Sequence, residues 1–168
     1  YSTVGQNSCS NCHDTHNASG KQWLMKQEAE EENCLDCHNG NTANKNIMAE
    51  FSKPYRHDVY NYTGIHDPLE SNINQKKHVE CTDCHNAHAS NNTKSEAPYI
   101  NGANYGVNGI NKNGAYVKLV EFEYEICFKC HGDNPVDIQS TQRYLGTNNT
   151  RSNFNENNIS YHPVVEEG

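Results

Sequence analysis

Apolar residues are scattered thinly along this chain, and few stretches keep a regular period. Residues 21–33 (KQWLMKQEAEEEN) come closest to an amphipathic helix, with Trp23, Leu24 and Gln27 able to share one face. Residues 115–124 (AYVKLVEFEY) are β-branched and aromatic enough to predict a strand. The Gly-rich run before them, residues 101–114 (NGANYGVNGINKNG), supplies turns, so the strand is expected as half of a hairpin. Most of the remainder is rich in Asn, Gly and Ser and reads as coil. No apolar run approaches the length of a membrane span, because Lys, Glu or Asn breaks the longest periodic stretches.

Composition turns this pattern into a question of stability. Only 33% of the 168 residues are hydrophobic, and the mean hydropathy is −1.00. Such a chain cannot offset the entropy of ordering itself with aliphatic side chains alone. Small apolar-poor domains are held together by disulfides or by a bound metal or cofactor. The formal net charge is −8. No basic stripe exists to track phosphates, which excludes nucleic acid as a partner.

The eight cysteines decide between the two remedies. They form four pairs, Cys9/Cys12, Cys34/Cys37, Cys81/Cys84 and Cys127/Cys130, and each pair is followed at once by a histidine: His13, His38, His85 and His131. This is the C-x-x-C-H signature of covalent c-type haem attachment. Two thiols form thioethers to the haem vinyl groups, and the adjacent imidazole reaches the iron as proximal ligand. With ten histidines in the chain, a His at all four following positions is roughly a one-in-10⁵ coincidence. Zinc sites do not need that fifth residue. A thioredoxin-like motif needs a βαβ setting that is not present. The expected fold is therefore mostly coil with short helices and a small β-hairpin, organised around four c-type haems. Attachment of this kind belongs to secreted chains, in the periplasm or outside the cell. A secretion signal is expected to have been removed already.

Four irons need four further axial ligands if all are six-coordinate. Six histidines remain, His16, His57, His66, His78, His88 and His162, against two methionines, Met25 and Met48. Bis-His ligation, with its lower potentials, is the expectation throughout. His16 and His88 each follow a proximal His by three residues, in CSNCHDTH and CTDCHNAH. On a helix those positions share a face, so the second imidazole cannot cross to the far side of the same iron. It can ligate a second haem stacked beside the first. For the other two irons, His57 in RHDV and His162 in YHPV are favoured, each lying after a second C-x-x-C-H. His78 ranks next, and His66 lies in the loop-like GIHDP. Trp23 is expected to pack on a haem edge.

The motifs also mark an internal duplication. Residues 1–70 hold the first pair and residues 71–168 the second, with an insertion at about residues 91–125. Asn17, Asn61, Asn91, Asn148 and Asn158 begin Asn-x-Ser/Thr sequons and are candidate glycan acceptors.

CSNCHDTH followed by CLDCH, and HVECTDCHNAH followed by CFKCH, resemble the doubled C-x-x-C-H motif of multihaem cytochromes. FSKPYRHDV and NISYHPVV are similar to the histidine-bearing stretches around those motifs. The resemblance runs from Cys9 to Val164 and leaves the insertion uncovered. With four haems and a C-x-x-C-H-x-x-H near its amino end, the chain also resembles the subunits of extracellular cytochrome filaments of bacteria and archaea. That resemblance implies polymerisation with copies of itself. It implies that His16 ligates the fourth haem, held by Cys127, Cys130 and His131, of a neighbouring copy. It implies that His88 ligates the second haem, held by Cys34, Cys37 and His38. Other redox cytochromes or an extracellular electron acceptor are the further partners expected. A soluble periplasmic shuttle is the alternative. A multihaem reductase is the third, disfavoured because histidines suffice to close every iron and no C-x-x-C-K variant occurs.

Overall fold

The computed structural model describes residues 4–20, 23–60, 79–132 and 149–166. The chain divides into two units, Tyr1–Cys81 and Thr82–Gly168.

In the first unit a short helix α1 (Val4–Asn7) runs into a 3₁₀ turn at Ser8–Asn11. Helix α2 (Glu30–His38) follows, and then α3 (Ile47–Glu50). The helix expected over residues 21–33 is corrected: among its described residues, 23–33, only the last four are helical. Trp23 and Leu24 both take a left-handed backbone, φ +57°, and the segment turns back instead. Met25 forms an isolated bridge with His13. The Lys26 and Asp14 amides donate to the Cys12 and Leu24 carbonyls, both at 2.9 Å. Gly20 makes this return possible, because a Cβ there would lie 2.6 Å from the Gln27 carbonyl oxygen. Trp23 is left 71% exposed.

Helix α2 begins at Glu30 for electrostatic and local reasons. Glu30, Glu31 and Glu32 occupy its first turn, where the helix dipole favours negative charge. The Asn33 side chain ties the approach down: its Nδ2 donates to the Ala29 carbonyl at 2.9 Å, and its Oδ1 accepts from the Gln27 amide at 3.0 Å. Asn46 caps α3 by accepting from the Ala49 amide at 3.0 Å. Leu35 and Val59 are the buried hydrophobic side chains of this unit among the described residues.

Helix α4 (Cys81–Cys84) starts at the junction of the two units. In the second unit, strands β1 (Gly109–Ile110) and β2 (Tyr116–Val117) pair antiparallel, Gly109 opposite Val117 and Ile110 opposite Tyr116. The expected hairpin is present but shorter than residues 115–124 predict. Its end belongs to helix α5 (Glu123–His131). The buried Glu125 carboxylate stops the strand by accepting from the Glu121 and Phe122 amides, at 2.8 and 3.1 Å. Phe122 and Tyr124, which read as strand formers, stack on each other (5.5 Å), and Tyr99 tilts against Phe122 (5.3 Å) as Phe128 does against Tyr124 (5.4 Å). Phe154, just after helix α6 (Thr150–Asn153), continues the row to Phe128 at 6.4 Å. Val107 and Val120 complete this core, joined through their main chains at 3.0 Å.

Among the described residues, six hydrophobic side chains are buried, and Trp23, Leu24, Met48, Tyr55, Tyr99, Tyr105, Tyr116, Leu119 and Ile159 are exposed. The side chains alone make little interior, as the composition requires. No described helix is long and apolar enough to cross a membrane. Phe128, 2% exposed and central to the aromatic row, carries the greatest packing load. Phe128→Ala is expected to destabilise the second unit by about 3–5 kcal/mol, read from denaturant unfolding of the intact chain; a loss under 1 kcal/mol would place the core elsewhere.

Candidate functional site

The four C-x-x-C-H motifs fall into two structural kinds, one of each in either half of the chain. Motifs one and three occupy a short helical turn followed by a tight polar turn. From the proximal histidine to His16 or His88 the backbone turns and does not continue as helix, so the helical condition behind the shared-face argument is not met. After His13, the Asp14 carboxylate accepts from the His16 and Asn17 amides, both at 3.0 Å. After His85, the Asn86 side chain accepts from the His88 amide at 3.0 Å. These are Asx turns, in which a short polar side chain replaces the helical bond. His16 and His88 lie on them, both exposed.

The proximal imidazoles of these two motifs share one contact. His13 Nδ1 lies 2.8 Å from the Trp23 carbonyl oxygen, and His85 Nδ1 lies 2.9 Å from that of Ala103. A carbonyl can only accept, so each Nδ1 carries a proton, which in the neutral ring leaves Nε2 the lone pair able to bind a metal. This is the outer support that metal-ligating histidines use. It also explains the left-handed Trp23 and Leu24 at the return towards motif one, a conformation costing roughly 1–2 kcal/mol per residue. In motif three the equivalent return uses Gly106 at φ +86°, whose carbonyl accepts from Asn86 Nδ2 at 3.0 Å. Asn104 Nδ2 donates to the Cys84 carbonyl at 2.9 Å, as the Lys26 amide does to Cys12.

Motifs two and four lie in the nine-residue helices α2 and α5, each of which ends at its proximal histidine, His38 or His131. Cys34 and Cys37, like Cys127 and Cys130, are three residues apart and share a helix face. No disulfide joins any of the eight cysteines. Burial pushes the Cys84, Cys127 and Cys130 thiols up. Cys34 and Cys81, both in the first unit, share a sulfur–sulfur hydrogen bond that lowers Cys34 and, with burial, raises Cys81. Among the described residues, no three His, Cys, Asp or Glu side chains gather to hold a bare metal ion.

His57 is exposed beside Asp58, whose carbonyl accepts from the Val79 amide at 3.4 Å. That bond lays the His57 segment along the chain leading into Cys81. His162 is exposed in the carboxyl-terminal segment, its carbonyl accepting from Val164 at 2.8 Å. His66 and His78 lie outside the described residues, as do Asn61 and Asn148. Asn17 and Asn91 are exposed; the Asn158 side chain donates through Nδ2 to the Ser152 carbonyl at 2.8 Å. Sequence reasoning missed Asp14 and Asn86, although a turn-forming Asx directly after His13 and His85 was a readable signal. It missed the Trp23 and Ala103 acceptors too, and for these no residue type is diagnostic.

A family model described as the doubled CXXCH motif matches residues 2–43. Residues 2–43 thus carry the signature of multihaem c-type cytochromes. No curated protein and no solved structure matches the chain. The motifs indicate covalently bound c-type haem, and the donor set fits it: paired unbridged thiols, and in two motifs an imidazole with its tautomer preset.

Accepting two amides holds the Asp14 carboxyl below its ordinary value of 3.8, the His16 amide contributing most. A depressed carboxyl stabilises the turn above that ordinary value and loses its effect as pH falls through the lower folded value. Asn86 has no such titration. Hydrogen exchange at labelling pH below 3.8 is therefore expected to deprotect the His16 and Asn17 amides before that of His88, and Asp14→Asn is expected to remove the difference. Equal deprotection in the unaltered protein would show that the carboxylate does not hold the turn.

Proposed function

We propose that this chain binds four c-type haems, one at each C-x-x-C-H, and passes electrons among them as the repeating subunit of an extracellular conductive filament. The observation that carries the haem reading is the matched Nδ1–carbonyl bond at His13 and His85. Bound haem supplies a one-electron iron couple. The chain holds it by thioethers at the eight cysteines and by His13, His38, His85 and His131 on the proximal side. His88, at the second haem, and His57 and His162, at the first and third, are assigned to the distal side. Bis-His closure keeps the potentials low and leaves no open position for catalysis, so the protein is read as a carrier and not an enzyme.

The filament reading rests on the resemblance of the first C-x-x-C-H-x-x-H to motifs of polymerising subunits. It is supported by the exposed turn that presents His16. In that reading His16 closes the fourth haem of a neighbouring copy, and the terminal acceptor is another cytochrome or an extracellular oxidant outside the cell.

Intact-mass measurement is expected to find four covalently added haems, with spectra wholly low-spin. Fewer haems would end the four-haem reading, and a high-spin ferric signal would indicate an open iron and a reductase. His16→Ala is expected to abolish filaments while leaving a folded, four-haem monomer. Filaments persisting with the full haem count would remove His16 from the junction. A native protein found only as periplasmic monomer would make it a soluble shuttle.

A further inference from the structure

The second unit joins two haem motifs through one charged side chain. Lys129 occupies the gap between Cys127 and Cys130 on α5, yet its ammonium reaches motif three. There Nζ donates to the main-chain carbonyl of Asp83, which lies between Cys81 and Cys84, and approaches Asn108 Oδ1 at 3.5 Å. The side chain is part-buried along this path, so its charge is screened less than that of a surface lysine. Position in the last turn of α5 favours a cation there.

We infer that Lys129 is a potential-setting residue: a cation carried by the fourth motif and held against the third, where it raises the reduction potential of the third haem. The inference rests on the four-haem reading above. Its physical basis is simple. Reduction removes one positive charge from the iron, so a fixed cation near the thioether edge favours the reduced form, and more strongly in a half-buried site than in water. The third haem is affected most, because the ammonium leaves its own helix and donates to a carbonyl between the two cysteines of motif three.

The test is a spectroelectrochemical titration of the intact, haem-loaded chain. Lys129→Gln keeps a donor for the Asp83 carbonyl and removes the charge; Lys129→Met removes both; Lys129→Arg keeps both. The neutral variants are expected to shift part of the titration to lower potential, while Lys129→Arg overlays the unaltered protein. Lys94→Gln, an exposed lysine outside the motifs, is expected to leave the curve unchanged. Intact mass separates the two levels of the argument. Fewer than four haems on the unaltered protein would sink the haem reading and this inference with it. Four haems with neutral variants that titrate like the unaltered protein would overturn the inference alone. An arginine variant that shifts as far as the neutral ones would do the same, as would neutral variants that fail to load haem, since the lysine would then be a clamp and not a charge.

Discussion

The contact on which the rest depends is an imidazole N–H aimed at a main-chain oxygen. At His13 and His85 it settles which ring nitrogen carries the lone pair, and it does so before any iron arrives. Much of the surrounding architecture exists to bring that oxygen into place. The chain leaves each motif through an Asx turn, runs outward, and returns by a left-handed backbone. In the first motif the return costs two non-glycine residues in the left-handed region. Strain of that size persists only where neighbouring contacts over-determine it, and here Gly20, Met25 and Lys26 supply them.

The two kinds of motif divide the labour. Motifs one and three are held by turns and long-range main-chain bonds, so their histidines are fixed from outside. Motifs two and four are held by helices, so their histidines are fixed by the helix that carries them. The same five-residue signature is thus supported in two ways, repeated across the halves with different local chemistry. Aspartate in one turn is matched by asparagine in the other, and Trp23 by Ala103.

What was legible in the residues was the chemistry. Cysteine spacing and the following histidines located all four motifs, and the Asn- and Gly-rich composition correctly implied mostly coil with a small hairpin. What was not legible was backbone direction. Trp23, Leu24 and Gln27 satisfy a helical period, yet the local bonds to Cys12 and Asp14 outweigh that preference. Phe122 and Tyr124 carry strand propensity, but it reports affinity for a packed aromatic row as much as for a ladder. Glu125, whose carboxylate folds back onto two amides to start α5, looks in the sequence like one more surface charge. The candidate distal histidines can be named from the sequence, but spacing does not encode which iron each would meet.

The acceptors for His13 and His85 lie 10 and 18 residues downstream, and both are peptide oxygens. Every amino acid carries that oxygen, so tryptophan can stand at one site and alanine at the other without loss of the bond. The intervening loop is free to lengthen by any number of residues that returns the peptide plane to the same orientation. A side-chain mutational scan would pass over this support in silence. Only chemistry that alters the peptide unit itself, such as an ester in place of an amide at the following residue, which weakens the carbonyl as an acceptor, would bring it into view.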